Sequence, residues 1–371
     1  MSGSSIAGFI ALVLVIAVGL PQAARGDPLQ YSWTELAPDV WTGIRENSPR
    51  IPVMGSTTFV VGDNGVVVFD GGGLPMLAER TLAKVQAVTD KPVTHVVISH
   101  WHQDHNFGIK AFVDAYPLAH IISHPYTRDT LIRANNDPEG NFREGIRDSI
   151  GTNVEVVTDI LEAGEFEDGR PLTAGERAWY HRFLADAAVL EGEYKRIEPV
   201  YPTATFSDTL VIHQGNREVQ LLHLGRGNTA GDVVMWLPEE RIVATGDMVV
   251  RPTPYGFGSY PREWADTLRR VKALDYRILI PGHGDVQRDA RYIDLLIETL
   301  ESVAAQAETM VNEGIPEEEA VARLDLSDFK ERFTGGDAFL ASRFESWFRR
   351  PIAEAAHRIA AGRPPEDIQP R

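Results

Sequence analysis

The chain contains no cysteine. That absence excludes disulfides, thiolate zinc sites, iron–sulfur clusters and cysteine nucleophiles together. Any metal must be held by His, Asp, Glu, Asn or backbone oxygen. Positive charge is also scarce: 36 Lys and Arg stand against 53 Asp and Glu, a net charge of −17 over 371 residues. With no basic run of five or more, nothing in the chain is built to grip a phosphate backbone, and nucleic acid is not an expected partner. Long apolar runs are missing, with one exception. Ile6 to Leu20 is uncharged and apolar but shorter than the roughly 20 residues a membrane span needs. Pro21 follows, then Ala24-Arg25-Gly26, with small residues where a signal peptidase cuts. Residues 1–26 are therefore expected to be a secretory signal, which places the rest in the periplasm or outside the cell. The preceding MSGSS carries no Lys or Arg, so an uncleaved N-terminal anchor is the alternative; both readings export the chain. No further membrane contact is expected.

What is present is ordinary globular material, with 43% hydrophobic residues, enough for a sizeable core. Thr58–Val61 and Val66–Phe69 are β-branched or aromatic runs around Gly62-Asp63-Asn64-Gly65, a hairpin signal. Helical spacing from Met76 to Val88 stops at Asp90-Lys91-Pro92, and Val93–Ser99 reads as a buried strand. A helix over Phe107–Tyr116 and a strand over Leu118–Ser123 continue an α/β alternation. Residues 125–200 are polar and acidic and read as a helical insertion, most clearly over Ala174–Arg196. Strands return at Thr209–His213, Glu218–Leu224, Asp232–Leu237 and Arg241–Thr245. A helix at Arg262–Leu274 and a strand at Arg277–Ile280 follow. The rest, to Ala361, is expected to be helical with a break near Gly335-Gly336.

The densest chemistry is His100-Trp101-His102-Gln103-Asp104-His105, directly after a buried strand. A lone histidine is usually a packed or surface residue. Four ligand-type residues within six, at a strand end where the backbone can turn, can converge on one point. Imidazole and carboxylate suit borderline metals such as zinc.

His100-x-His102-x-Asp104-His105 resembles the HxHxDH motif of the metallo-β-lactamase superfamily. Other stretches fall in the same order. Asp70-Gly71-Gly72 resembles the turn before the metal loop. Gly227-Asn228-Thr229-Ala230-Gly231-Asp232 is similar to the family's Gly-His-Thr-x-Gly segment. Thr245-Gly246-Asp247 and Pro281-Gly282-His283-Gly284 resemble the bridging and last ligand motifs. The resemblance implies an α/β fold, a four-layer αββα sandwich with the site at one edge. It gives a catalytic domain at 27–288, carrying the helical insertion at about 125–200, and a C-terminal helical extension at 289–371. It also implies that His100 and His102 sit on a first metal, that Asp104, His105 and His283 hold a second, and that Asp247 bridges both. Asp70 is expected to be a hydrogen-bond partner of the metal loop rather than a ligand.

Asn228 departs from the pattern, where the family usually has His, and an amide oxygen is a poor zinc ligand beside imidazole. It either coordinates weakly or through water, or the first site is lost, or His223 substitutes. His95, His120, His124, His181 and His357 are not assigned to metal. The loop Arg251–Pro261 carries Tyr255, Phe257 and Tyr260. It is read either as a surface loop packed by its own aromatics or as a wall for an apolar part of a substrate, with Tyr255 and Phe257 in contact.

The implied activity is a zinc-dependent hydrolase with one or two ions, iron or manganese remaining open. Hydroxide held by the metal attacks a small-molecule carbonyl in a lactam, lactone, ester or thioester, and Asp104 orients the nucleophile and passes a proton to the leaving group. The alternatives are a degenerate, non-catalytic metal binder and an iron-dependent redox member. The acidic balance argues against a nuclease, and His102, where redox members carry an acid, argues against iron chemistry.

Overall fold

The computed structural model describes residues 29–45, 54–136, 142–165, 169–363 and 365. The apolar leader and its expected cleavage point lie outside them. Seven strands form a first sheet in simple sequential order: β1 (Ser32–Ala37), β2 (Val40–Ile44), β3 (Thr57–Gly62), β4 (Gly65–Phe69), β5 (Val93–Val97), β6 (His120–Ser123) and β7 (Ala204–Thr205). Neighbours are antiparallel up to β4 and parallel from β4 to β7. Five strands form a second sheet, β8 (Thr209–Gln214), β9 (Arg217–Leu222), β10 (Val234–Leu237), β11 (Ile242–Ala244) and β12 (Ile278–Ile280), with spatial order β12-β11-β10-β9-β8. Only the β11–β12 pair in it is parallel.

The helices are α1 (Pro75–Val88), α2 (Ile109–Ala115), α3 (Pro125–Asn135), α4 (Phe142–Ala163), α5 (Ala174–Arg196), α6 (Pro261–Ala273), α7 (Arg291–Asn312), α8 (Glu317–Arg323), α9 (Ser327–Thr334), α10 (Ala338–Arg343) and α11 (Arg350–Ala360). A π-helical turn, Phe344–Arg349, joins α10 to α11.

Strand periodicity explains the layers. Successive side chains of β4 point to opposite faces. Val67 and Phe69 enter a cluster with Val219, Leu221, Met235 and Ile280 of the second sheet. Val66 and Val68 pack instead on Ala78, Leu82 and Val85 of α1 and Phe112 of α2. β10 divides likewise: Met235 and Leu237 face the first sheet, while Val234 and Trp236 meet Trp264 of α6, Leu300 of α7 and Ile352 of α11. The inner strands of both sheets are thus buried on both sides, which gives continuous apolar runs there and the expected αββα order of layers. The residues beyond 289 supply much of the second helical layer.

The insertion is a hairpin of α4 and α5. Thr173 starts α5 with a capping box, its hydroxyl accepting from the Glu176 amide while Glu176 accepts from the Thr173 amide. The far end of α5 caps another helix: Glu193 Oε2 accepts from the Met76 amide in the first turn of α1 (2.7 Å), where α1 has no side-chain cap of its own. Leu190 and Tyr194 join Leu74, Leu77 and Phe107 in one cluster. The insertion is therefore fastened to the flank of the 100–105 loop.

Candidate metal centre

Every candidate side chain except Asn228 follows the carboxyl end of a strand. Asp70 follows β4, His100–His105 follow β5, Asp247 lies in the 3-10 turn after β11, and His283 lies just past β12. The carboxyl ends of parallel strands open a crevice at one edge of the sheets. Asn228 stands on the loop between β9 and β10.

Two donor groups form there. His100, His102 and Asp247 can each offer one atom, all within 4.8 Å of one another, and so can Asp104, His105, Asp247 and His283. Asp247 divides its oxygens between them. Oδ2 lies 3.6 Å from His100 Nε2, while Oδ1 lies 3.1 Å from His105 Nε2 and 3.3 Å from His283 Nε2. Asp104 Oδ2 is 3.0 Å from His283 Nε2 and 3.5 Å from His105 Nε2. Asp104 is the open member of its group, its side chain 22% exposed beside His105, Asp247 and His283, which are almost wholly buried.

The tautomers follow from the hydrogen bonds. Asp70 Oδ1 accepts from the Ser99 amide, and its Oδ2 accepts from the Ser99 hydroxyl, all at 2.8 Å. Oδ2 also lies 2.8 Å from His105 Nδ1, which must carry the proton, leaving Nε2 bare. The Ser99 hydroxyl spends its one hydrogen on the bond it donates to Asp70, so at 2.9 Å it accepts from His100 Nδ1, and His100 Nε2 is bare as well. One carboxylate thus orients an imidazole in each group.

Those bare nitrogens face other nitrogens. His100 Nε2 lies 2.9 Å from His102 Nδ1, and His105 Nε2 lies 3.3 Å from His283 Nε2. A single proton or a single cation can occupy each gap. Electrostatics agree. Burial drives His100 well below the usual histidine value, helped by repulsion from His105. Burial acts the same way on His283, but Asp247 and Asp104 outweigh it and lift His283 to about 9. His105 is raised well above normal by Asp104, Asp247 and Asp70 against burial. Burial would raise Asp247, yet His283, His105 and His100 hold it well below the carboxylate range. Buried positive charge is what the carboxylates demand, and Asp247 Oδ1 has no hydrogen-bond partner among the described residues. The donor set therefore fits divalent metal.

Glycines shape the cradle. A Cβ at Gly282 would sit 2.0 Å from Asp247 Oδ1, and one at Gly55 would sit 2.5 Å from the His105 ring. Neither position can carry a side chain without moving a donor.

Asn228 is fully buried. Its Nδ2 donates to the Tyr255 carbonyl at 2.9 Å, while Oδ1 has no partner among the described residues. His223 is not drawn into either group. It lies just beyond β9, where Nδ1 meets the Asp232 carbonyl at 2.9 Å and the ring stacks on His124 at 4.2 Å. Tyr255 is buried, 5.4 Å from the His283 ring, with Phe257 6.5 Å from Tyr255. Sequence reasoning missed two groups. Ser99, whose hydroxyl links Asp70 to His100, reads as the last residue of a strand. Trp347, 5.1 Å from Tyr255 and 5.9 Å from Phe257, comes from the π-helical turn about 90 residues downstream, with no local signal to connect it.

Comparison with known proteins agrees with this geometry. Residues 50–283 match the family model of the metallo-beta-lactamase superfamily, and the chain belongs to that superfamily. A linear primary-alkylsulfatase from a Pseudomonas species is 24% identical over 282 residues, which is 71% of this chain and 48% of that protein. A metallo-beta-lactamase type 2 from Bacillus cereus is 31% identical over 78 residues, 19% of this chain and 30% of that one. Among solved structures, the stereoselective inverting sec-alkylsulfatase Pisa1 from Pseudomonas sp. superposes with a TM-score of 0.58 at 16% identity, covering 89% of this chain and 50% of that one. The chain spans about half the length of these alkylsulfatases.

Proposed function

We propose that the protein is an exported, zinc-dependent hydrolase acting at a carbonyl of a small molecule: a lactam, lactone, ester or thioester. The observation that carries this reading is the division of Asp247 between two groups of imidazoles, with Oδ2 toward His100 and Oδ1 toward His105 and His283. His100, His102 and Asp247 would hold one ion, with the orphaned Asn228 Oδ1 available to it. Asp104, His105, His283 and Asp247 would hold the other. An all-nitrogen and oxygen donor set suits zinc. A bound divalent ion supplies Lewis acidity to the scissile bond and acidity to water near neutral pH.

The chain's own groups do the rest. Asp70 and Ser99 keep His100 Nε2 and His105 Nε2 bare. Asp104, the open carboxylate, orients the attacking water, takes its proton and returns it to the leaving group. Tyr255 and Phe257 face an apolar part of the substrate. Export rests on the apolar run Ile6–Leu20.

The test is hydrolysis by metal-quantified protein of a chromogenic cephalosporin, an acyl lactone, a glutathione thioester and an alkyl sulfate. Turnover of one carbonyl substrate that falls by orders of magnitude in Asp104→Ala and is lost in His105→Ala is expected. Full metal occupancy with no turnover on any of them refutes the reading. The alkyl sulfate is included because the alkylsulfatase aligns with far more of this chain than the Bacillus cereus lactamase does. Sulfate ester hydrolysis is therefore the second reading.

A further inference from the structure

We propose that Tyr31, a buried phenol just ahead of β1, is a positioning residue for the second donor group: through Gly55 it fixes residues 54–56 as a clamp between the loops that carry Asp104, His105 and His283. The inference rests on the metal-binding reading of that group and on no substrate. The clamp itself is backbone. The Gly55 amide donates to the Asp104 carbonyl at 3.1 Å, and the Ser56 amide donates to the Gly282 carbonyl at 2.7 Å. Two successive amides thus tie the loop after β5 of the first sheet to the loop after β12 of the second. Both loops bear donors of one group, Asp104 and His105 on the first and His283 on the other. Gly55 also lies against the His105 ring, where a Cβ would come within 2.5 Å.

Tyr31 grips the other side of the same peptide. Its hydroxyl donates to the Gly55 carbonyl at 3.0 Å, in a buried bond. The Gly55 carbonyl and the Ser56 amide belong to one planar unit, so a rotation that frees one bond breaks the other. Strand β3 begins only at Thr57, which leaves this unit ahead of the sheet ladder and dependent on such contacts. Tyr31 is firmly seated. Its ring joins Leu29, Met54, Leu74 and Phe107, and it meets Trp33 edge-on at 5.6 Å. It lies over Gly43 of β2, where a Cβ would sit 3.0 Å from the ring. Burial raises the phenol above its usual value, with Asp70 and Asp104 adding to the shift against Arg45, so the hydroxyl keeps its proton as a donor. An ion shared by Asp104 and His283 needs each donor about 2.0–2.2 Å away, and donor sets loosen when their supports shift by about 0.5 Å. Holding the two loops at a set distance is therefore a contribution to affinity.

The experiment is a zinc competition titration of the full chain against a chromophoric chelator in two backgrounds. His102→Ala removes a donor from the first group, and His283→Ala removes one from the second. Tyr31→Phe keeps the ring and deletes the hydroxyl. In the His102→Ala background it is expected to weaken the tighter ion about fivefold, the worth of one hydrogen bond. In the His283→Ala background it should change nothing. In the cobalt form of the His102→Ala protein, the same substitution should also shift the visible d–d bands, a signature of ligand geometry that a mere loss of stability leaves in place. Equal loss in both backgrounds overturns the proposal, because it marks a general structural effect, and so does unchanged affinity with unchanged bands. Should Tyr31→Phe fail to fold, the wild type decides by reciprocity. Amide exchange across residues 54–61 must slow on metal loading by more than it does across residues 209–222, and equal slowing overturns the clamp. Metal uptake by the wild type tests the metal-binding reading by itself, so the two fail separately.

Discussion

Asp70→Asn is the sharpest perturbation of the metal centre, because one atom changes and its consequences can be traced. Asp70 is 1% exposed. Its Oδ1 accepts from the Ser99 amide at 2.8 Å, and an asparagine must keep its oxygen there. The new NH₂ then replaces Oδ2, which now accepts from both the Ser99 hydroxyl and His105 Nδ1 at 2.8 Å. A donor would face a donor. His105 must move its proton to Nε2, the atom pointing at Asp104, Asp247 and His283. That proton occupies the position a cation needs. Ser99 must turn its hydroxyl away from residue 70, and the natural direction is toward His100 Nδ1, 2.9 Å away. The first group is then disturbed too. Carboxylates hydrogen-bonded to metal-binding imidazoles contribute about 10- to 100-fold in metal affinity, roughly 1.4–2.7 kcal/mol. The assay is a competition titration against a chromophoric chelator, with folding followed by circular dichroism. Asp70→Asn should weaken both ions by about that factor, whereas Ser99→Ala should weaken the first ion alone. Unchanged affinity for both ions in folded Asp70→Asn refutes this linkage, and so does a Ser99→Ala variant that loses the second ion.

Other consequences follow from individual contacts. Asp104→Ala should reduce turnover by about 10²–10⁴-fold with the fold retained; kcat on the substrate found in the panel is the measurement. Asn228→His should raise the metal content of the first group, read by elemental analysis, but should also lose the hydrogen bond to the Tyr255 carbonyl, about 1 kcal/mol of stability. Gly282→Ala should lose metal, since its methyl would displace Asp247 Oδ1. Burial raises the Asp232 carboxyl to about 7, against the bonds it accepts from Thr229. Its folded value thus exceeds the unfolded one near 4. The stability it contributes is complete below about pH 4 and is lost as the pH rises through 7, at most about 4 kcal/mol. Comparing urea unfolding of wild type and Asp232→Asn across that window isolates it, and equal slopes would contradict the shift.

The strands around the metal loop were legible because they are buried on both faces. Runs such as Val66-Val67-Val68-Phe69 and Val93–Val97 leave no other period to read. α5 could be read to the residue, as its Thr173 and Glu176 capping signal and its length are local. β1 and β2 were not individually marked. Their exposed and polar positions, as in Ser32–Ala37, make an edge hairpin whose partner is set by tertiary pairing. His223 looked like a strand residue because Glu218–Leu224 continues the apolar pattern, but pairing with β10 ends at Leu222. The metal-type residues were legible because six of them fall at strand ends in a recurring order. Their supporting contacts were not. Ser99 acts through geometry at a single hydroxyl, and Trp347 reaches Tyr255 only after the C-terminal helices close over the second sheet.

Asn228 shows why the departure from the family pattern could not be interpreted by spacing alone. Read as a ligand position, an amide in place of imidazole is simply a weaker donor. In the folded chain the residue has two ends with different obligations. Nδ2 is committed to the Tyr255 carbonyl, and that loop carries the aromatic contacts to His283 and Trp347. Oδ1 is fully buried and unpartnered among the described residues, a state that costs about 1–3 kcal/mol when nothing binds it. An imidazole could coordinate through one nitrogen and donate through the other, but its fixed ring geometry would move the carbonyl it holds. In the proposed arrangement, with Oδ1 serving the first donor group, the amide joins that group to the loop of Tyr255 at one side chain. A substitution there is then expected to change metal occupancy and the placement of that loop together, and the two effects separate only when metal content and the Tyr255 contacts are followed on the same protein.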